Sequence, residues 1–227
     1  MLGKFVDWLT RVVAWSRRNQ VHHPRGAMVK LNLGSGLSVA PGWINLDGSL
    51  SALVASLPAP LIKLVYRLTS LKVSYRETEY VEILARHKFI FHNLAYGIPF
   101  PDDSIDFIYS AHLLEHLTRA DARQLTRAMW RVLKPGGCVR ITVPDLARAF
   151  ELYQHGKTEQ ALGFFFLDAA SDLGRHQYMY DFESLAALLT NAGFRAIERR
   201  AFQSGDTPDL VLLDNRPEQT LYVEARK

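Results

Sequence analysis

A chain of 227 residues, 48% of them hydrophobic, is sized for one α/β domain with an elaboration or two and carries ample apolar material for a core. Its lone cysteine, Cys138, excludes an intrachain disulfide, and with no bilayer-length apolar run and no secretory cleavage site the expectation is a cytoplasmic protein, soluble or peripheral. A formal net charge of +4 favours anionic surfaces or substrates, and nothing in the pattern of basic residues calls for nucleic acid.

Residues 1–27 read as a segment of their own. Leu2, Phe5, Trp8, Leu9, Val12 and Val13 cover one side of a helical wheel, with Lys4, Arg11 and Arg18 on the other. Such a basic amphipathic helix suits shallow insertion at the inner face of an anionic membrane, or packing on the domain as a lid or dimer contact. A linker over 19–28 leads into the main domain, residues 28–227. There a buried strand at 29–33 meets a turn holding Gly34 and Gly36, and a short connection through Pro41 and Gly42 leads to a second strand at about 43–47 that ends in Asp47. Two glycines admit a ligand close to the backbone, and a carboxylate accepts both hydrogens of a ribose diol, so the unit suits an adenosine cofactor. A dinucleotide fingerprint would place its acidic residue about 20 positions on, after a full helix. Here Asp47 comes only 11 positions after Gly36, which weakens that reading.

Residues 48–87 alternate apolar and basic side chains around Pro58 and Pro60 and read as an inserted, partly helical cap near the ligand edge. A third strand is expected at 88–93 and a fourth at 106–110. A helix begins at Thr118, in a T-x-x-D start, and runs to Leu133 before Pro135-Gly136-Gly137. The fifth strand is 138–143. Helix is expected over 145–173, including Phe164-Phe165-Phe166, and again over 182–191. Strands at 195–202 and 220–226 complete the chain.

Four motifs follow in order: Val29-Lys30-Leu31-Asn32-Leu33-Gly34-Ser35-Gly36 with Gly42-Trp43-Ile44-Asn45-Leu46-Asp47; Ile98-Pro99-Phe100-Pro101-Asp102-Asp103-Ser104-Ile105-Asp106; His112-Leu113-Leu114-Glu115-His116-Leu117; and Arg131-Val132-Leu133-Lys134-Pro135-Gly136-Gly137, with Asn191-Ala192-Gly193-Phe194 near the end. Together they resemble the class I S-adenosylmethionine-dependent methyltransferases, in particular the small bacterial type 11-like family, over about residues 28–227. The resemblance implies an α/β fold with a doubly wound, seven-stranded, mostly parallel sheet whose last strand is antiparallel. It also implies S-adenosyl-L-methionine held at the carboxyl edge by Asn32, Gly34, Ser35, Gly36, Asp47, Asn93, Leu94 and Ser110. Asn93 stands where the family usually has aspartate against the adenine amino group. Relatives with the Gly-Trp-Ile-Asn-Leu-Asp pattern suggest polysaccharide or glycolipid pathways, hence O-methylation of a sugar, a glycolipid or another small acceptor. The rival from another class is a non-catalytic adenosine-cofactor-binding scaffold of the same fold.

A hydroxyl acceptor benefits from a general base. His112, near the end of strand four, is the first candidate, followed by Asp145 and His176. Asp145 is equally placed to cap the next helix. Tyr178 and Tyr180 are expected either to line the acceptor pocket or to anchor their loop, and Arg175 either to meet an anionic acceptor or to stay solvated. The H-x-x-E-H spelling of His112, Glu115 and His116 is also a zinc signature. No downstream motif announces a third ligand, and no metal is expected.

Overall fold

The fold is that of a computed structural model, which describes residues 2–69, 75–166 and 175–227, with only the backbone of residues 2–7 and 9. Its elements are α1 (Leu2–Ser16), β1 (Lys30–Leu33), β2 (Trp43–Asp47), α2 (Leu50–Val54), α3 (Ala59–Leu68), α4 (Glu77–Arg86), β3 (Lys88–Phe91), β4 (Ile105–Ala111), α5 (Arg119–Val132), β5 (Leu133–Pro144), α6 (Leu146–Gln154), α7 (Thr158–Leu162), α8 (Phe182–Ala192), β6 (Arg195–Arg200), α9 (Leu210–Leu213) and β7 (Thr220–Arg226). Short 3-10 turns lie at Leu94–Tyr96 and Leu114–His116.

One seven-stranded sheet runs in the order β3-β2-β1-β4-β5-β7-β6, with β7 antiparallel to both of its neighbours. The chain order reverses between β1 and β4, so the loops after these two strands open a crevice at the carboxyl edge. One face is aliphatic: Leu31, Leu33, Leu46, Ile108, Val139 and Ile141 pack with Leu125, Met129, Leu185 and Leu189 of α5 and α8. Each such side chain, fully buried, contributes roughly 1.5–3 kcal/mol.

The other face carries a row of polar side chains in register, Asn45, Asn32, Tyr109, Arg140 and Glu224 on five adjacent strands. No helix separates β1 from β2, so the segment after β6, with α9, covers this face through Leu210 and Leu213 packed on Trp43 and Tyr109. It also neutralises the row. Arg140, wholly buried, pairs with Asp214 at 2.5 Å and Glu224 at 3.4 Å and donates to the carbonyls of Ala201 and Ser204. Tyr109 Oη donates to Leu213 O at 2.8 Å.

The structure corrects several expectations. Residues 48–87 form the crossover from β2 to β3: α2 and α4 pack on β3, and Val54, Ile62, Tyr66, Tyr80 and Leu84 make a small core of their own. A parallel pair of strands requires such a crossover, so the segment is part of the fold more than a lid. The helix expected over 145–173 is two helices, α6 and α7, and Phe164 and Phe165 lie in a turn after them, Phe164 buried against Ala149 and Leu152. The parts of these two expectations that fall on 70–74 and 167–173 lie outside the described residues. Two motifs prove to be clamps. Arg131 donates to the carbonyls of Ile98 and Phe100 and pairs with Asp102, and Lys134 pairs with Asp106, whose carboxylate also accepts from Val29 N.

Candidate functional site

The glycine turn closes β1 with Gly34 at φ +63° and Gly36 at φ +50°, left-handed conformations that favour glycine. A Cβ on Gly34 would press the Leu113 side chain at 3.0 Å, whereas one on Gly36 would meet nothing within 4 Å. Open space above Gly36 is where a ligand can lie against bare backbone. Asp47 faces it from the end of β2. Its Oδ2 accepts from Gly36 N at 2.8 Å and its Oδ1 from Ser49 N at 2.7 Å. Each carboxylate oxygen retains a further lone pair for a ribose hydroxyl.

A cavity of about 130 Å³ adjoins the turn, walled by Asn32, Gly34, Ser35, Ser38, Tyr109 and His112, with Arg216 at its rim. A second, of about 300 Å³, lies beyond β5 and is walled by His112, Pro144, Arg148, Phe164, His176 and Arg216. His112 and Arg216 belong to both. The chain turns sharply to put His112 there, at φ +49°, just past the end of β4. Its Nδ1 lies 3.1 Å from Glu115 Oε1 and its Nε2 3.3 Å from Thr220 Oγ1. A carboxylate only accepts, so Nδ1 carries the proton and Nε2 offers its lone pair.

The other expected residues also brace, cap or pack. Asn32 is buried, and its amide braces the turn by donating to Ser38 O at 2.8 Å and Asn45 Oδ1 at 3.1 Å. Ser110 is buried and walls neither cavity, and Ser35 contributes to the smaller one. Asn93 follows β3 and its Oδ1 caps the next turn at Ala95 N, leaving its NH2 group for an adenine, while Leu94 packs on the aliphatic core. Asp145 takes the helix-cap alternative and walls neither cavity. Its Oδ1 accepts from Ala147 N at 3.0 Å and its Oδ2 pairs with Arg199 at 2.6 Å. Tyr178 and Tyr180 pack edge to face at 4.9 Å with Tyr180 buried, so they anchor the loop and do not line the cavity. Burial pushes the Tyr180 phenol up to about 12.

His112 and His116 do not share a helical face: His112 precedes the turn at Leu114–His116. What sequence reasoning missed is that His176, from a distant loop, meets them, its ring centroid 5.0 Å from that of His116. Burial, above all, holds the His176 imidazole below its ordinary range, in the neutral form. Arg216 was also missed. It sits in a plain polar stretch, Asp214-Asn215-Arg216-Pro217, and only the folded return to β7 carries it to the seam of the cavities.

Residues 49–141 match a family model described as a methyltransferase domain. The chain is 32% identical over 130 residues to the ubiquinone/menaquinone biosynthesis C-methyltransferase UbiE of Pectobacterium carotovorum, covering 49% of this chain and 50% of that protein. It thus spans about half the length of the curated relatives it matches. In fold it resembles a SAM-dependent methyltransferase from Archaeoglobus fulgidus (TM-score 0.50, 14% identity, 96% of this chain and 94% of that one). An S-adenosylmethionine-dependent methyltransferase from Mesorhizobium loti is similar to the same degree (TM-score 0.50, 19% identity, 89% and 92%). The fold is thus one that S-adenosylmethionine-dependent methyltransferases of known structure share.

Proposed function

We propose that this chain is an S-adenosyl-L-methionine-dependent methyltransferase acting on a hydroxyl oxygen of a small-molecule, sugar or glycolipid acceptor. The observation that carries the reading is His112, set between the cavity beside the glycine turn and the larger one beyond it. The residues present fit the cofactor: open space over Gly36, a buried Asp47 carboxylate for the ribose, and Asn93 at the adenine end. Among the described residues no carboxylate pairs with the Arg216 guanidinium, which suits it to the carboxylate of the methionine end. When bound, the cofactor's sulfonium supplies an electrophilic methyl group. The protein then has to align the acceptor, exclude water and take a proton. His112 Nε2 receives that proton, and the buried Glu115 carboxylate holds Nδ1–H and stabilises the imidazolium.

The relatives named C-methyltransferases raise carbon as the alternative nucleophile, and such a carbon must also lose a proton. The product therefore discriminates. Calorimetric titration with S-adenosylhomocysteine should give one site per chain. Methyl-labelled cofactor with hydroxylated acceptors, among them sugars and lipid-linked sugars, should give base-stable ether products. Absence of S-adenosylhomocysteine binding overturns the reading, and a carbon–methyl product overturns the oxygen assignment.

A membrane contact is proposed with it. Among the described residues no helix is long and apolar enough to cross a bilayer. α1 packs on Ala52 and Phe91 through Ala14, yet leaves Trp8, Val12 and Trp15 exposed near Arg11, Arg17 and Arg18. α3 exposes Leu61, Leu64 and Leu68 alongside Lys63 and Arg67. Apolar faces bordered by cations suit an anionic lipid surface.

A further inference from the structure

Glu115 is wholly buried, and only half of its carboxylate is accounted for. Oε1 lies 3.1 Å from His112 Nδ1 and 4.0 Å from His116 Nε2, but Oε2 has no hydrogen-bond partner. An unpaired oxygen on a buried anion is costly to retain. Ligand atoms of Glu115, His116 and His176 lie within 4.8 Å of one another. Both imidazoles are already oriented: His116 Nδ1 is 3.2 Å from Arg175 O, and His176 Nδ1 is 2.6 Å from Phe164 O. A carbonyl only accepts, so in each ring Nδ1 bears the proton and Nε2 presents its lone pair. Metal-bound histidines are held in this way, the other ring nitrogen donating to a carbonyl or carboxylate. The backbone joins the two halves of the cluster. Gln177 N and Tyr178 N donate to Glu115 O at 2.7 and 3.2 Å, stapling the loop of His176 to the turn of Glu115 and His116.

We propose that Glu115, His116 and His176 form a binding site for one first-row divalent cation at the wall of the larger cavity. Two imidazoles and a carboxylate suit Zn²⁺, Mn²⁺, Fe²⁺ or Co²⁺, whereas Ca²⁺ and Mg²⁺ prefer oxygen ligands. Bonds of about 2.0–2.2 Å would draw the three atoms together by small side-chain rotations. A cation there satisfies Glu115 Oε2 and replaces the weak contact between Glu115 and His116. His176 also walls the cavity, so a cation held by it would lie beside the acceptor space. Resting on the hydroxyl-acceptor reading above, the cation would bind the acceptor oxygen and favour its ionised form beside His112.

The test uses the full chain stripped with chelator and titrated with Co²⁺, followed by calorimetry and visible absorption, with S-adenosylhomocysteine binding measured on the same samples. One Co²⁺ per chain is expected. Affinity should fall by at least about 100-fold in His176→Ala and His116→Ala, since even outer-shell changes cost 10–100-fold. S-adenosylhomocysteine binding should be unchanged in both variants, which also shows that they are folded. No stoichiometric uptake by the wild-type chain, or wild-type affinity in both variants, overturns the site. A wild-type chain that takes up Co²⁺ but not S-adenosylhomocysteine overturns the methyltransferase reading and leaves the cation site standing.

Discussion

Replacing Asp47 with asparagine separates its bracing of the turn from the ribose contact proposed for it. The carboxylate accepts two backbone hydrogen bonds, from Gly36 N at 2.8 Å and Ser49 N at 2.7 Å, and is only 8% exposed. Asparagine keeps the shape but has one acceptor oxygen, so in either amide orientation its NH2 group confronts a backbone N–H. The loss is that of one hydrogen bond to a charged group, about 1.5–3 kcal/mol of stability. For a chain of this size that corresponds to a fall in Tm of roughly 3–12 °C. Cofactor binding should weaken separately, because a ribose diol loses an ionised acceptor. A further ~1.5–3 kcal/mol is about a 10- to 150-fold loss of affinity for S-adenosylhomocysteine. Thermal denaturation reads the first effect and calorimetry, below the lowered Tm, the second. A variant that melts early but binds S-adenosylhomocysteine with wild-type affinity would refute the ribose assignment and leave Asp47 as a brace alone.

His112→Asn tolerates the left-handed backbone at φ +49° and should lower kcat by roughly 10²–10⁴ with little change in S-adenosylhomocysteine affinity; parallel losses of Tm and cofactor affinity, with turnover preserved, would make His112 structural. Arg140→Met leaves Asp214 and Glu224 buried without their cation and should cost about 3–5 kcal/mol by chemical denaturation, and a change under about 1 kcal/mol would show that the polar row is not held by charge pairing. Burial pushes the Cys138 thiol up to about 11, so it stays protonated in the fold while an unfolded thiol ionises above its ordinary value. The unfolded chain then binds fewer protons, and stability should decline as pH rises through about 9–11; native protein should resist thiol reagents and react at one site per chain once unfolded. Liposome co-sedimentation should require anionic lipid, fall with salt and be lost when residues 1–27 are removed with S-adenosylhomocysteine binding intact, and equal sedimentation without them would assign α1 to protein packing alone.

The strands of the crevice and the residues at their ends can be read from the amino-acid sequence. Strand β2 spans the expected 43–47, and the glycine turn and Asp47 were legible because local chemistry dictates them: left-handed φ at Gly34 and Gly36, and a carboxylate closing a buried run. The cap at Asp145 was likewise written into its neighbours, since an aspartate ahead of a helix finds a free N–H within two residues. Tertiary structure alone decided what depends on separated segments meeting. Asn32 reads as a ligand contact, and only the fold shows that Ser38 and Asn45 also engage its amide. Arg140 lies in a strand that should be apolar on both faces, and only the segment at 201–214 supplies the carboxylate and carbonyls that make its burial tolerable. Arg216 carries no local signal at all, and although His176 reads as a candidate base, nothing near it in the sequence says that it will meet His116. They reach His112 because the segment leading into α8 and the return to β7 both pass the carboxyl edge of the sheet. Propensity and periodicity act over a few residues, whereas a site is assembled wherever packing brings distant loops together, and that convergence has no period to read.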